Sequence, residues 1–246
     1  SEMCIRDREE KTMRFQTENG VLIAQANGET LRIEPWGKDS LRVRATMLPE
    51  FSGKDWALTE VPEKTEAKAE QFEVDHLEID GSMGKRTSAS ITNGKIRAVV
   101  NFAGVITFHK EDQEILREYH RCYDGTISKE SRCLKTVNRE WKGVIGGSEY
   151  SLNLKFESND EEKIFGMGQY QQKYMDLKGC TLELAQRNSQ ISVPFAVSSL
   201  GYGMLWNNPA VGQVTFGKNY TEWTARSTKD CLLYTSPSPR DISGSR

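Results

Sequence analysis

"SASITNGKIRAVVN", residues 88–101, decides the fold class. Two arms alternate apolar and polar residues, and Asn93-Gly94 stands between them. Period two sends successive side chains to opposite faces of an extended chain, so each arm reads as a half-buried strand. An Asn-Gly pair tolerates the positive φ that a two-residue hairpin turn requires, which makes this the strongest short-range hairpin signal. The same rhythm recurs on both sides, in Val21–Ala26, Leu31–Trp36, Leu41–Met47, Phe72–Asp80, Val105–His109, Ile115–Tyr119, Tyr150–Phe156, Ile191–Val197, Tyr202–Trp206, Val214–Phe216 and Tyr220–Ala225. No window of a dozen residues holds a 3.6-residue period. Glu60–Gln71, "EVPEKTEAKAEQ", has helix formers but almost no apolar face and reads as a solvated linker. Charges at alternate positions, such as Arg42 and Arg44, predict one wet face per sheet. The expected fold is all-β, a large antiparallel β-sandwich of two long sheets, without propeller or solenoid repeats.

The rhythm stops at Cys231, and the two ends of the chain are related in an unusual way. The string TCGGAGATGTGTATAAGAGACAG encodes Ser1–Asp7 and opens the codon of Arg8. Its reverse complement, entered one base in, encodes Cys231–Pro237. Protein termini have no reason to be reverse complements, and the string resembles a transposase adapter of sequencing libraries. Residues 1–8 and 231–246 are therefore expected to be adapter-derived, not native, and to stand outside the fold. Met13 is the expected native start, and residues 13–230 the expected domain.

Composition narrows the function classes. The 246 residues carry a formal net charge of −2 with acids and bases interspersed, which argues against nucleic acid or an anionic membrane as partner. No run of about 18 apolar residues exists to span a bilayer. No apolar h-region follows Met13, so no secretory signal is visible and the cytoplasm is the expected location. Of the five cysteines, Cys122, Cys133 and Cys180 fall outside the adapter-like ends. They lack Cys-x-x-Cys spacing and read as reduced, mostly buried thiols. His76, His109 and His120 do not flank them at finger spacing, so no metal and no cofactor is expected.

The segment with chemical content is Ile164–Asn208, "IFGMGQYQQKYMDLKGCTLELAQRNSQISVPFAVSSLGYGMLWNN". It is rich in Gln, Asn, Tyr and Trp. Planar amides and Arg bond vicinal hydroxyls in two-pronged fashion, and aromatic faces stack on sugar rings. Satisfaction of loop backbone groups by the same amides is an equal reading on composition alone. Gly166-Met167-Gly168 lacks the third glycine and the following helix of a dinucleotide loop, and reads as a tight bend at a strand end.

"FGMGQ", "LELAQRN" and "VPFAVSSLGYGMLWNNP", in that order and spacing, resemble the N-terminal domain of glycoside hydrolase family 31, the family of α-glucosidases and α-xylosidases. The resemblance is sharp over Ile164–Thr224 and diffuse from Met13 on. It implies a galactose-mutarotase-like β-sandwich that packs on its own C-terminal catalytic (β/α)₈ barrel. It also implies a retaining mechanism whose two carboxylates lie on that barrel. No residue of this chain is expected to be catalytic, and the barrel is expected to be absent from it.

What the sandwich contributes in the family is a loop over the barrel mouth that touches the sugar in the −1 subsite. Carried over, the triplet falls on Gln186, Arg187 and Asn188. Asn188 stands where the family has an acid, so it can donate and accept but brings no charge. Gln169 and Tyr170, with Gln171, are further candidates for the mouth. Trp206 is a candidate platform, with a place in the core as its competing reading. The expected partner is an α-linked oligosaccharide or glycoside, and a homo-oligomer is a further expectation. "QRN" and "GQYQQ" look more like the α-xylosidase branch than the α-glucosidases. Two other functions stay open: a free-standing carbohydrate-binding or mutarotase-like domain, and a sandwich that only packs and oligomerises. A mutarotase needs a His/Glu pair, and no histidine here sits in a block suggesting one.

Overall fold

A computed structural model describes residues 13–53, 66–77, 81–121 and 136–237. The strands are β1 Arg14–Glu18, β2 Val21–Ala26, β3 Glu29–Pro35, β4 Leu41–Thr46, β5 Lys68–Leu77, β6 Met83–Asn93, β7 Ile96–Val100, β8 Ile106–Lys110 and β9 Gln113–Arg117. They continue as β10 Arg139–Gly143, β11 Tyr150–Glu157, β12 Ile164–Gln169, β13 Thr181–Leu184, β14 Ile191–Ser198, β15 Tyr202–Trp206, β16 Gly212–Phe216, β17 Tyr220–Thr228 and β18 Asp230–Pro237. The fold is an all-β sandwich, as the alternation required. Among the described residues no helix is long and apolar enough to cross a membrane.

Among the described residues three antiparallel sheets are present where two were expected. One has eight strands in the order β1-β2-β3-β4-β18-β15-β14-β12. Two have five, β10-β11-β17-β16-β13 and β5-β6-β7-β8-β9. The five-stranded sheets meet where the chain beyond β9 touches β11, through the Glu118↔Phe156 bridge and a bond from Tyr119 N to Lys155 O of 2.9 Å. The core lies between the layers. It takes the inner rows Leu31 and Ile33 of β3, Leu41, Val43 and Ala45 of β4, Ile91 of β6, Phe108 of β8, and Leu152, Leu154 and Phe156 of β11.

The Ser88–Asn101 hairpin forms, with its turn one residue later than the Asn-Gly pair suggests. Asn93 pairs with Ile96, so Gly94 and Lys95 make the turn, and Gly94 has φ +58°. Asn93 is pulled out of the turn by tertiary bonds. Its buried amide donates to Gly37 O at 2.8 Å and Ser40 O at 2.7 Å, tying the hairpin to the β3–β4 connection. A Cβ on Gly94 would collide with the Asp39 carboxylate, which caps Lys95 N at 2.8 Å.

Two expectations are corrected in the same way. The linker reading of Glu60–Gln71 fails at its end, because β5 begins at Lys68; residues 60–65 lie outside the described residues. The expectation that the chain after Asp230 stands outside the fold fails for residues 231–237, which run as β18 between β4 and β15. Two facing strand edges need backbone partners, and an extended chain supplies them largely irrespective of side chain. Residues 1–8 lie outside the described residues, as do Cys122 and Cys133. Cys180 is half-buried and Cys231 buried, both free.

Candidate functional site: the β12–β14 loop cluster

β12 carries three consecutive residues with positive φ: Gly166 at +96°, Met167 at +68° and Gly168 at +95°. The β12–β14 register slips there, from Gly166↔Ala196 to Gly168↔Ser192, so Val193, Pro194 and Phe195 have no partner on β12 opposite Met167, while Phe195 still pairs with Leu205 of β15. A bulge is where a strand tolerates proline, because no ladder N–H is needed. The glycines are required by contact as well as by φ. A Cβ on Gly166 would sit 2.5 Å from Phe195 O, and one on Gly168 2.2 Å from Ile191 O. Met167 turns fully into the core. The bend read at a strand end thus lies within β12, and its effect is to swing the outgoing chain at Gln169.

Two loops leave this bend, and their polar groups hold them in place. The Tyr170 hydroxyl donates to Glu183 O at 2.9 Å and shares a hydrogen bond with the Ser192 hydroxyl at 2.8 Å. Farther on, Asp176 Oδ1 accepts from Ile164 N and Lys178 N, both at 3.1 Å, and Leu177 N donates to Ile164 O at 2.8 Å. Gln171–Met175 are left exposed between these two anchors. The second loop joins β13 to β14. Gln186 faces the Ser192 backbone as a strand would, donating to Ser192 O at 2.7 Å and accepting from Ser192 N at 3.1 Å. Arg187–Gln190 then closes a turn through Gln190 N to Arg187 O at 3.1 Å, with Ser189 at φ +68°.

Asn188 sits at the tip of that turn, exposed, its amide bonded to no described residue. Gln169 ends β12 level with Ile191, also exposed. Arg187 is spent on a bidentate pair with Glu183, both bonds 2.7 Å, on the surface. The bond from Arg187 holds the Glu183 carboxyl below the ordinary carboxylate range. The structure therefore divides the six candidates. Asn188 and Gln169 present free amides; Gln186, Tyr170 and Arg187 bond their own loop. Trp206 is only 1% exposed and stacks on Trp223 at 5.7 Å, so the core reading holds and the platform role is withdrawn. Sequence reasoning missed Ser192, the buried hub of the loop, since a lone serine in an alternating strand gives no signal.

Beneath the loops, buried Glu162 joins the start of β12 to β14 and β15. It accepts from the Ser198 hydroxyl and from Tyr202 Oη at 2.6 Å, with Lys178 at 3.5 Å. Burial and then the Glu162 charge push the Tyr202 hydroxyl well above its ordinary value. This group is a support, closed off from the loop tips. The exposed amides of Asn188 and Gln169 are neutral, and can donate to and accept from hydroxyls. The histidines lie elsewhere, His76 on β5 against Phe102, His109 on β8, and His120 beside Asn138 at 3.2 Å.

No family model matches the chain. It is 44% identical over 211 residues to an uncharacterized family 31 glucosidase (ORF2) of Pseudescherichia vulneris, covering 82% of this chain and 37% of that protein. It is 29% identical over 209 residues to α-xylosidase A of Aspergillus niger, covering 81% and 27%. Among solved structures, a family 31 α-xylosidase from a soil metagenome, complexed with xylose, superposes with a TM-score of 0.80 at 44% identity, over 92% of this chain and 32% of that one. The chain thus spans about a third of the length of the proteins it matches.

Proposed function

The chain belongs to glycoside hydrolase family 31, and on that premise we propose that it is the substrate-contacting β-sandwich of a retaining α-glycosidase. Catalysis falls to the proposed catalytic barrel, which supplies nucleophile and acid/base. The sandwich packs on that barrel and lends the Arg187–Gln190 turn to the −1 sugar subsite. A xyloside is the favoured substrate class: the soil-metagenome relative, at 44% identity, is named an α-xylosidase, and "QRN" follows that branch. One observation carries the reading. Gln186, Arg187, Tyr170 and Ser192 bond the loop itself, while the Asn188 amide stands exposed at its tip, unbonded to the described residues.

The experiment is kinetic, in the enzyme restored with its remaining length. Asn188→Ala is expected to lower kcat/KM on an aryl-α-xyloside by about tenfold, which is about 1.4 kcal/mol. That is the upper range of one neutral hydrogen bond, about 0.5–1.5 kcal/mol net. The thermal midpoint should not move, because the residue is exposed. Asn188→Asp should retain activity. Full activity in Asn188→Ala would remove the turn from the subsite.

A further inference from the structure

Three Asn-Gly pairs occur in the chain, and the fold gives each a different setting. Glu18 pairs with Val21 and Ala26 with Glu29, so Asn19-Gly20 and Asn27-Gly28 are the whole turns of β1–β2 and β2–β3. Their φ angles are +52°, +70°, +53° and +83°, positive at both central residues as a type I′ turn requires. Such a turn is closed by its flanking residues, which leaves the glycine N–H outside the ladder. Asn93 differs. It ends β6 paired with Ile96, is 2% exposed, and its amide donates to Gly37 O and Ser40 O.

The Asn27 turn is the open one. Asn27 and Gly28 are exposed, and neither the Asn27 amide nor the Gly28 N–H bonds a described residue. A Cβ built on Gly28 would meet only the Met47 methyl, at 3.5 Å. Asn19 is exposed too, but Gly20 lies against the chain entering β5, where a Cβ would sit 2.7 Å from Ala67 O.

An Asn-Gly pair can react with its own backbone. The glycine N gives its proton to solvent base and bonds the Asn Cγ. The Cγ–Nδ2 bond breaks, and ammonia leaves with a proton from solvent. Water then opens the cyclic imide. Addition at Cγ gives aspartate; addition at the backbone carbonyl gives isoaspartate, with the chain now running through Cγ. One water is consumed and one ammonia released, and no oxidant is needed. The Asn must first swing out of its turn conformation, and glycine, without a Cβ, obstructs this least.

We propose that Asn27 is a site of spontaneous deamidation, and that isoaspartate there loosens the joint between the sheets. Isoaspartate adds a methylene to the backbone of a two-residue turn. Glu29 follows that turn directly, and its carboxylate accepts from Arg139 Nε and Trp141 Nε1, both at 2.8 Å. A lengthened turn shifts Glu29 away from those donors. Asn93 reacts only in molecules that have opened far enough to release its amide, a deeper opening than that of a hairpin tip.

The test ages the full chain at mildly alkaline pH, folded and in urea, and maps aspartate and isoaspartate by peptide mass spectrometry. In the folded chain the expected order is Asn27, Asn19, Asn93, with at least about tenfold more conversion at Asn27 than at Asn93. In urea the three should react at comparable rates. The thermal midpoint of the aged chain should fall by about 2–4 °C. Fresh Asn27→Asp, which brings the charge without the extra methylene, should stay near the fresh parent and lose little on ageing. Equal conversion at Asn27 and Asn93 in the folded chain, or none at Asn27, would overturn the site. An unchanged midpoint after conversion at Asn27, or a fresh Asn27→Asp as low as the aged parent, would overturn the role given to isoaspartate.

Discussion

Asn188 and Gln186, two residues apart, show how identical chemistry acquires different roles. Both end in a primary amide. Gln186 spends both ends of its amide on the Ser192 backbone, whereas Asn188 meets no described partner. A sugar-contact role can thus belong to Asn188 only because Gln186 and Tyr170 hold the turn. Gly168 belongs to the same scale. At φ +95°, with backbone 2.2 Å from an added Cβ, it admits no side chain. Gly168→Ala should destabilise by more than about 1 kcal/mol in urea unfolding, because an L-residue is forced into a left-handed conformation against packed backbone. An unchanged urea midpoint would mean the β12–β14 register can slip to relieve it.

Single side chains also fasten whole elements. Arg139 at the start of β10 donates to Glu29 of β3 through Nε at 2.8 Å and Nη2 at 3.1 Å, to Glu118 beyond β9 at 2.6 Å, and to Gly104 O at 2.9 Å. Trp141 adds a bond to Glu29 at 2.8 Å. One guanidinium therefore ties all three sheets together. Burial works to raise the Glu29 carboxyl, but the Arg139 charge and the bonds from Arg139 and Trp141 prevail and hold it below 4.5. A carboxyl lowered in the folded state gives stability that is present above its unfolded value and lost as pH falls through the folded one. Glu118 shares the same guanidinium, but burial raises its carboxyl, so its contribution runs the other way. Glu29's own share of the thermal midpoint should fall as pH drops below about 4.5, and Glu29→Gln should remove that share while lowering stability at neutral pH. Equal acid slopes in the two proteins would place the acid-labile group elsewhere.

At the scale of the molecule, the stack of Trp206 on β15 against Trp223 on β17 joins the eight-stranded sheet to a five-stranded one, with Phe216 edge-on to Trp223 at 5.8 Å. The indole that composition offers to a sugar is thereby consumed in holding the layers together. The Asn188 and Gln169 amides exposed on the loops are neutral and supply neither acid nor base. On the proposed function, this chain by itself should show no turnover of aryl-α-xyloside or aryl-α-glucoside. Measurable hydrolysis by the pure chain would require a carboxylate pair within it and would sink the division of labour proposed above.

The sequence alone determined the strand rhythm, because a period of two is a local property of how side chains leave an extended backbone. Val21–Ala26 and Tyr202–Trp206 were legible to the residue for that reason. It also determined the glycines of β12, the turn that bears Asn188 and the family to which both belong, since ordered motifs survive in one dimension. Tertiary structure alone decided which amide is free, where Trp206 points, that the second layer splits into two sheets, and that residues 231–237 are strand. Each of these depends on partners far apart in the chain: Gln186 on a strand it must face, Trp206 on Trp223, and β18 on two edges contributed by β4 and β15. A backbone edge satisfies whatever extended chain lies beside it, and no pattern within that chain announces the neighbour.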